Sequence, residues 1–324
     1  MDRWYLRLQR GTEGILTWRR KRKLKKKARQ KKRHVIIEWL DAFLWAAFVV
    51  LLINQYFFQA YQIPSGSMQK TLLIKDRIFV NKLIYGPELL PGIAKIASPR
   101  EPKRSQVIIF ESPTYLSKGP LFDILQRILY MVTLSIVDID RDENGNPRAH
   151  FLIKRAIGME GDRLRIRQGE VEISPPGSSS WVSEASFRPL NTADYATQRL
   201  IRPEEYDVIH AAARVNAFDD IGIRPDPADV TRVNRAITVK NDTYERRAFL
   251  AASYYAAYPN ERRYGNAYRQ YERGWFVPEG WIFPMGDNRD DSNDARYFGP
   301  VRLKKVLGKA MFIYWPIVRI GAIR

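Results

Sequence analysis

A short serine-containing segment holds the residues of this chain best suited to hydrolytic chemistry. Residues 64–68 read Pro-Ser-Gly-Ser-Met and place two hydroxyls, on Ser65 and Ser67, on either side of a glycine. Serine becomes a good nucleophile only when a neighbouring base removes its proton. A second hydroxyl on an exposed turn can donate a hydrogen bond to a developing oxyanion. Ser67 is therefore the candidate nucleophile and Ser65 a candidate donor, while the alternative is a plain turn.

A lysine in an apolar segment is the candidate base. Residues 151–155 read Phe-Leu-Ile-Lys-Arg, which is typical of a strand. Strand alternation puts Lys154 on the same face as Leu152 and turns Arg155 to the other face. Burial disfavours an ammonium and lowers its pKa from about 10.4 towards the range of a useful base. The alternative is an ordinary Lys-Arg pair on a solvated strand edge.

The amino-acid composition excludes several other kinds of catalytic site. The chain has 324 residues, enough for two domains or one domain with a large insertion, and it contains no cysteine. Disulfides, thiolate nucleophiles and thiolate zinc sites are therefore excluded. The three histidines are His34 in a basic tail, His150 beside the lysine segment and His210 far downstream, and none has a recognisable catalytic context.

A third polar element lies near the C-terminus. Residues 286–296 mix acids, arginines and amides, which can cross-link loops through charge-assisted hydrogen bonds. A calcium loop is the alternative, but Arg289 intrudes and the turn glycine is missing. A second acidic turn, 140–145, starts like a calcium loop, yet its twelfth position is Phe151 rather than glutamate. A hairpin turn is the better interpretation there, and we expect no metal.

The net charge of +19 is concentrated in one tail. Residues 1–34 hold fifteen Lys and Arg against two acids, so thirteen of the nineteen positive charges belong to this segment. A disordered arm on nucleic acid is one interpretation of such a block. The apolar stretch that follows favours a cytoplasmic tail instead, and no nucleic acid is expected as a partner.

Residues 35–58 are predicted to form a transmembrane signal-anchor. The stretch has the length that a spanning helix needs and carries aromatic residues near both ends, although Glu38 and Asp41 interrupt its first turns. The basic tail orients it with the N-terminus in the cytoplasm and all later residues translocated. A buried helix, or a secretory signal cleaved near Ala60, are the alternatives.

Beyond the anchor the chain reads as a mainly β protein. Short β-rich runs at 78–80, 107–110, 151–157, 281–283 and 310–315, and a hairpin at 163–173 turning at 168–169, indicate one catalytic unit. Between them, 174–273 is polar, tyrosine-rich and largely helical in pattern. We therefore expect a membrane-anchored β-sheet catalytic domain, 59–173 and 274–324, with an inserted α/β cap domain, 174–273, and one N-terminal transmembrane helix.

A helix is predicted within that β unit. Residues 120–132 carry apolar side chains at helical spacing: Leu121, Ile124, Leu125, Ile128, Leu129 and Val132. Such a helix could lie on the membrane surface or cover one face of a sheet. The sequence favours neither.

Taken together, these segments resemble type I signal peptidases, membrane-anchored serine proteases that remove signal peptides from exported proteins. The matching stretches, in the family's order, are 62–68 with 71–72, 107–110 before Pro113, 153–158 with 161–162, and 286–296. The resemblance implies a mainly β fold with an inserted cap, no cofactor, and signal-peptide-bearing preproteins and membrane lipids as partners. It does not cover the basic tail, residues 114–148 or most of 174–273.

The resemblance also implies a role for each site residue. Ser67 would be the nucleophile and Lys154 the general base. Ser65 would donate to the oxyanion alongside the Ser67 amide, and Ser292 would orient the lysine amine. Supporting ion pairs and hydrogen bonds would come from Arg155, Asp287, Asp294 and Arg296. Shallow pockets for small residues before the cleavage site would be lined by Tyr61, Ile63, Leu72 and Ile153.

Two positions depart from the family pattern. Lys70 stands where the family usually has proline, which suggests a less rigid turn after the nucleophile. Ser105-Gln106 stands where the family usually has Gly-Asp. Since Ser67 lies nine residues beyond Phe58, an extended connector reaches only about 30 Å, so the nucleophile must lie near the outer membrane surface.

Two other functions stay open at this point. One is a membrane-tethered, non-catalytic assembly or binding protein whose peptidase site has decayed. The other is a self-cleaving, DNA-binding repressor that uses the same two catalytic residues.

Overall fold

The computed structural model describes residues 12–14, 16–25, 35–90, 94–96, 100–133, 136–143, 145, 148, 150–187, 195–236, 238 and 241–323. The chain forms two compact units, Met1–Leu51 and Leu52–Arg324. In the first unit residues 16–25 are helical, and helix α1 (Val35–Tyr56) begins there and ends in the second unit. Most of the predicted basic tail lies outside the described residues.

Helix α1 is the candidate membrane span among the described residues. It has 22 residues, its mean hydropathy reaches 2.2, and none of its apolar window is buried. A helix of this length and composition can cross a bilayer, which is consistent with a membrane-anchored protein. It ends at Tyr56 rather than at residue 58, because Phe58 already pairs with Asn81 in the first strand of the sheet.

A curled antiparallel sheet forms the centre of the second unit. In spatial order its described strands are β1 (Phe58–Gln62), β2 (Arg77–Asn81), β13 (Val306–Trp315), β5 (Val107–Glu111), β6 (Phe151–Gly158), β11 (Trp281–Met285) and β12 (Val301–Arg302), with β14 (Gly321–Ala322) beside β13. The predicted strands are confirmed, and the protein is mainly β. Alternating apolar side chains from β2, β5 and β13 fill one core beneath residues 64–68, which contain the candidate nucleophile and are called the nucleophile segment below.

A second, smaller sheet lies next along the chain. Its described strands are β10 (Trp275–Phe276), β7 (Arg163–Arg167), β8 (Glu170–Ser174) and β9 (Val182–Ser183), and β3 (Glu88–Leu90) pairs separately with β4 (Ala94–Lys95). The predicted hairpin is confirmed. Gln168 and Gly169 have φ of 49° and 70°, as a two-residue turn between twisted strands requires.

The segment predicted as an inserted cap is helical over most of its described residues. Its helices are α3 (Glu184–Phe187), α4 (Tyr206–Asp220), α5 (Pro227–Arg235), α6 (Thr243–Ala257) and α7 (Arg262–Arg273), and after the end of β8 at Ser174 its one strand among the described residues is β9. Asp226 and Asp242 cap α5 and α6 through their carboxylates. That this segment forms a separate cap domain stays a prediction. Outside it, α2 (Pro120–Val132) confirms the predicted helix, and α8 (Ala295–Phe298) follows the acidic loop.

The two departures from the family pattern have clear backbone consequences. Lys70 has a φ of 86°, a value that proline cannot adopt because its ring fixes φ near about −65°. A proline would therefore not rigidify this turn; it would break it. Ser105 has a φ of 72°, the left-handed region that glycine adopts without a steric penalty.

Replacing Ser105 by glycine should stabilise the protein. The side chain is 2% exposed, and its hydroxyl is buried without a hydrogen-bond partner among the described residues. The useful contact, from the Arg155 Nη1 donor to the Ser105 carbonyl at 2.6 Å, is kept in the variant. We expect Ser105→Gly to raise the free energy of unfolding by about 1 kcal/mol, measured by denaturant titration of the full chain in detergent.

The matched control is Ser105→Ala, which removes the hydroxyl but keeps a Cβ at positive φ. Its gain should be the smaller of the two. An equal gain in both variants would show that the hydroxyl, and not the backbone conformation, is the source.

Candidate active site

The nucleophile segment is held by the chain on both sides of it. Strand β1 leads to Ile63, whose amide donates to the Asp76 carbonyl at 2.8 Å. Gly66–Met68 then form a single 3₁₀ turn, and the Leu72 amide donates to the Met68 carbonyl at 2.8 Å. Met68 and Leu72 are buried in the core under β2 and β13. These apolar anchors fix a turn that leaves Ser67 half-buried at the surface.

Lys154 reaches that turn from the middle of the sheet. It lies on β6 opposite Ile108 of β5, is 3% exposed, and its Nζ donates to Ser67 Oγ at 2.6 Å. Burial lowers the pKa of Lys154 to about 8, since water cannot solvate the ammonium there. The Asp294 and Asp287 carboxylates oppose this shift. The structure therefore brings together the two residues that the sequence placed 87 positions apart.

Ser65 lies beside the same hydroxyl. Its side chain is exposed, and its Oγ is 3.4 Å from Ser67 Oγ. The Ser67 amide belongs to the second residue of the 3₁₀ turn, where backbone donors have no partner within the helix. The Ser65 hydroxyl thus lies next to the Ser67 hydroxyl.

A buried ion pair fixes the strand next to Lys154. Arg155 donates from Nε and Nη2 to the Asp287 carboxylate at 2.8 and 2.7 Å, and both side chains are fully buried. Thr71 donates to the same carboxylate at 2.5 Å. The Tyr195 ring lies 4.0 Å from the Arg155 guanidinium. This pair joins β6, the nucleophile segment and the 286–296 loop.

A second buried pair lies within that loop. Arg296 donates to the Asp294 carboxylate at 2.9 and 3.0 Å, and the Gly286 amide donates to it at 3.0 Å. Burial alone would raise the pKa of Asp294, but Arg296 and the amide hold it below its usual value. Asp294 therefore stays charged, and its carboxylate ties the two ends of the loop together.

Ser292 is not hydrogen-bonded to Lys154 among the described residues. Its buried hydroxyl lies beside the Asp294 carboxylate and helps to lower the pKa of that group. It also lies against Gly286, where an added Cβ would come within 2.2 Å of the Ser292 Oγ and 2.5 Å of the Ser67 carbonyl. The amine is already engaged by Ser67.

The four predicted pocket residues come together around one core. Tyr61, Ile63 and Leu72 are almost fully buried, and Ile153 is half-buried against them. Ile153 is therefore the member of the four whose side chain is most accessible from the solvent near Lys154.

Asn288 was not identified from the sequence, although it holds the nucleophile segment directly. Its backbone amide donates to the Ser67 carbonyl at 3.0 Å, and its side-chain amide donates to the Gly66 carbonyl at 3.2 Å. Its position inside the polar 286–296 segment was the available signal. The segment was interpreted there through its charged residues alone.

The helical insertion also contacts this loop. Arg289 forms a buried double pair with Glu184 of α3, one arm of which is 2.6 Å, and donates from Nε to the Gly286 carbonyl at 2.9 Å. Gln198 donates to the Asp287 carbonyl at 2.8 Å and accepts from the Arg289 amide at 3.0 Å. No sequence signal links Glu184 to Arg289, which is 105 positions away.

Calcium sites were the alternative interpretation of the two acidic loops. Among the residues that the structure describes, no group of three or more His, Asp or Glu side chains could hold a metal ion. Within 286–296, the carboxylates of Asp287, Asp290 and Asp294 form ion pairs or accept backbone hydrogen bonds. The second acidic turn, 140–145, is described only in part.

Comparison with known proteins identifies the family. A family model described as signal peptidase, peptidase S26, matches residues 36–211 and 221–315. The chain belongs to this family. Membership makes it a serine endopeptidase, and the segments that carried the resemblance all fall within the matched residues.

Named relatives agree with the family assignment. The signal peptidase I of Haemophilus influenzae is 27% identical over 278 residues, which cover 86% of this chain and 69% of that protein. The signal peptidase I of Buchnera aphidicola subsp. Acyrthosiphon pisum is 25% identical over 328 residues, covering 91% and 84%. A crystal structure of a signal peptidase I from Enterococcus faecalis aligns with 65% of this chain and 98% of that chain, at 18% identity and a TM-score of 0.23, too low to bear on the fold.

A Cβ at Gly286 should disrupt this peptidase's site. The new atom would lie 2.5 Å from the Ser67 carbonyl, a backbone atom that cannot move without displacing the candidate nucleophile. We expect Gly286→Ala to reduce peptide cleavage by about a hundredfold or more, because a displacement of about 1 Å is costly at a reacting atom. Cleavage kinetics and a thermal melt of the full chain measure the two effects.

Gly66→Ala is the control on the neighbouring turn. There the new Cβ meets only the flexible Gln69 side chain at 3.2 Å. A loss in this variant as large as in Gly286→Ala would contradict the steric explanation.

Proposed function

We propose that this protein cleaves signal peptides from exported preproteins through a serine–lysine mechanism. The observation that carries the proposal is the 2.6 Å contact between a buried Lys154 amine and the Ser67 hydroxyl. Family membership and relatives named signal peptidase I support the substrate class. The intact contact also argues against a decayed, non-catalytic protein.

Acylation would begin with the neutral form of Lys154. The amine accepts the Ser67 proton while Oγ attacks the scissile carbonyl carbon, giving a tetrahedral oxyanion. Collapse breaks the C–N bond, and the ammonium returns its proton to the leaving amine. The signal peptide is then held as an ester on Ser67, and the mature protein is released.

Deacylation would use the same base. Lys154 accepts a proton from water, whose oxygen attacks the ester carbonyl. The second tetrahedral species collapses, and the proton is returned to the Ser67 oxygen. This releases the signal peptide with a free carboxylate and restores the starting hydroxyl and amine, so no cofactor is needed.

The oxyanion would be stabilised by Ser65 and the Ser67 amide. The support is the 3.4 Å separation of the two serine oxygens and the position of Ser67 as the second residue of a 3₁₀ turn. Preorganised donors of this kind are worth about 3 kcal/mol each in related chemistry.

The remaining predicted residues would have supporting roles. Arg155, Asp287, Asp294 and Arg296 would keep the lysine strand and the 286–296 loop in register, as their buried ion pairs support. Ser292 would orient the amine only after a rotation of its side chain. Tyr61, Ile63, Leu72 and Ile153 would restrict the residues before the cleavage site to small side chains, which is supported by their position together around one core with Ile153 partly exposed.

The location we propose is the outer face of the cytoplasmic membrane. The chain would be single-pass through α1, with the N-terminus in the cytoplasm and the catalytic unit outside, and 174–273 would form a cap domain. The basic tail before α1 supports this orientation, as does the short connector from α1 to Ser67. A signal peptide embedded in lipid would present its cleavage site at that level.

Substitution of either proposed catalytic residue should abolish processing without unfolding the protein. Ser67→Ala removes the nucleophile, and Lys154→Met replaces the base by an uncharged side chain of similar length. We expect preprotein cleavage to fall by at least about a thousandfold in each, as for catalytic groups that act as a unit. Gel-based cleavage by the purified full chain is the measurement.

Thermal melts supply the control for those two variants. A buried amine with a lowered pKa opposes folding at neutral pH, so Lys154→Met should melt no lower than the wild type. Full activity in Ser67→Ala would refute the mechanism.

The pH dependence of cleavage should reflect the protonation state of Lys154. With a pKa of about 8, Lys154 is protonated at lower pH and cannot accept a proton. We expect kcat/KM to rise with pH and level off above about 8, falling about tenfold per unit on the acid side. Initial rates on a signal-peptide substrate across the pH range give the profile.

Asp291→Asn tests the assignment of that profile to Lys154. Asp291 is exposed, and its negative charge raises the pKa of Lys154. Its neutralisation should move the acid limb towards lower pH and leave the plateau unchanged. A limb that stays in place, or one that moves upward, would assign the ionisation to another group.

A further inference from the structure

Helix α2 places its polar side chains towards the protein and its apolar side chains outward, the reverse of an ordinary surface helix. Its polar side chains face inward: Gln126 is 3% exposed and donates to the Asp138 carboxylate at 2.9 Å. Asp123 accepts hydrogen bonds from Tyr115 and Ser117 at 3.0 and 2.5 Å. A helix on a water-facing surface normally places such residues outside.

Arg127 and Tyr130 complete the inward face. Arg127 lies 3.5 Å from the Glu88 carboxylate and 3.6 Å from that of Glu111. The Tyr130 ring lies 6.2 Å from that of Tyr61 on β1, the strand that leads to the nucleophile segment. One face of α2 therefore covers the core, as one of the two sequence-based interpretations expected.

The outward face of α2 is apolar. Leu121, Ile124, Leu125 and Ile128 are 84%, 50%, 53% and 42% exposed, and they recur at helical spacing on one side. We call these four side chains the apolar stripe. No charged residue lies within it. Exposing four large aliphatic side chains to water is unfavourable, whereas a contiguous apolar face marks a surface that contacts an apolar partner.

The position of α2 identifies that partner. Near the C-terminal end of α2, the Met131 carbonyl accepts a hydrogen bond from the side-chain amide of Asn54 at 3.4 Å. The side-chain amide of Gln55 donates to the Glu88 carbonyl at 2.8 Å, and Glu88 in turn pairs with Arg127 of α2. Both bonds lie within the second compact unit, and Asn54 and Gln55 belong to the last turn of the candidate span.

The end of a spanning helix lies at the boundary between lipid and water. A helix that is hydrogen-bonded to this end lies at the same boundary. Exposed apolar side chains are also present at this end of α1, including Leu52 and Ile53.

We propose that α2 is an interfacial membrane helix, whose apolar stripe is immersed in the outer leaflet at the boundary of headgroups and acyl chains. This inference rests on the membrane-anchored location proposed above. The stripe supplies a second lipid contact in addition to α1. Through Tyr130 and Tyr61, it holds the nucleophile segment at the height where a membrane-embedded substrate is cut.

Site-specific fluorescence can test this directly, because the chain contains no cysteine. A single Ile124→Cys variant of the full chain is labelled with an environment-sensitive nitrobenzoxadiazole probe and reconstituted into phosphatidylcholine–phosphatidylglycerol vesicles. The matched control is Ile223→Cys, an isoleucine of similar exposure (40% against 50%) in the loop after α4.

Nitroxide-labelled lipids and aqueous iodide are the two quenchers. We expect the probe at 124 to emit at shorter wavelength and to lose at least half of its intensity to lipid nitroxides. The probe at 223 should be quenched by iodide alone. A probe at 124 that only iodide reaches would overturn the proposal. A probe at 124 that neither quencher reaches would also overturn it, because the stripe would then be covered by protein, such as a second copy.

Cleavage of a short soluble signal-peptide substrate by the same labelled protein separates the two proposals. Lipid quenching without cleavage would uphold the interfacial helix and refute the proposed function. Cleavage without lipid quenching would uphold the proposed function and refute the interfacial helix. The additional change Leu125→Glu should reduce lipid quenching of the probe at 124 severalfold, while cleavage of the soluble peptide is unchanged. If lipid quenching is unaffected by this change, the apolar stripe is not the lipid contact.

Discussion

The burial of one amine is the constraint on which the rest of the site depends. Lys154 lies in the middle of a sheet, almost without solvent, 2.6 Å from Ser67 Oγ. An ammonium in such a place loses its hydration, so the balance shifts towards the neutral amine. The neighbouring carboxylates of Asp294 and Asp287 act in the opposite direction, and Arg296 acts with burial. The position of each charge around the amine therefore sets the pH at which it loses its proton.

The charged side chains around Lys154 are held in position by ion pairs with other buried residues and not by water. Arg155 with Asp287, Arg296 with Asp294, and Arg289 with Glu184 are three buried pairs around one loop. A buried pair is geometrically exacting, because removing one partner leaves an uncompensated charge in the interior. The 286–296 loop is therefore held in one conformation. Through Asn288 it holds the carbonyls of the nucleophile segment as well.

The helical segment between the two halves of the sheet takes part in this arrangement. Glu184 and Gln198 reach the loop from that segment, so its described contacts are with the site itself and not only with neighbouring helices. At another edge of the unit, α2 presents aliphatic side chains outward and polar ones inward. Both features link the geometry around Ser67 to parts of the chain that lie outside the motifs recognised in the sequence.

Local sequence patterns were sufficient to predict which segments form strands and helices. They were also sufficient to single out Ser67 and Lys154 as candidates. Alternating apolar runs predicted the strands, helical spacing predicted α2, and the Gln168-Gly169 turn was predicted where it occurs. Ser67 and Lys154 were recognisable because their types and flanking residues are local properties. The same holds for α1, whose length and composition are visible in the chain alone.

Long-range packing decided the rest. Whether α2 buries its polar or its apolar side depends on partners such as Glu88 and Asp138, which no periodicity specifies. The Glu184–Arg289 pair spans 105 positions, and Ser292 faces Gly286 rather than Lys154 because of how the loop closes. The left-handed backbone at Lys70 and Ser105 was also not visible in the sequence, since it follows from the path that the chain must take between distant strands. A sequence encodes propensities over a few neighbouring residues, whereas hydrogen bonds and charges between distant segments are chosen only when the whole chain is packed.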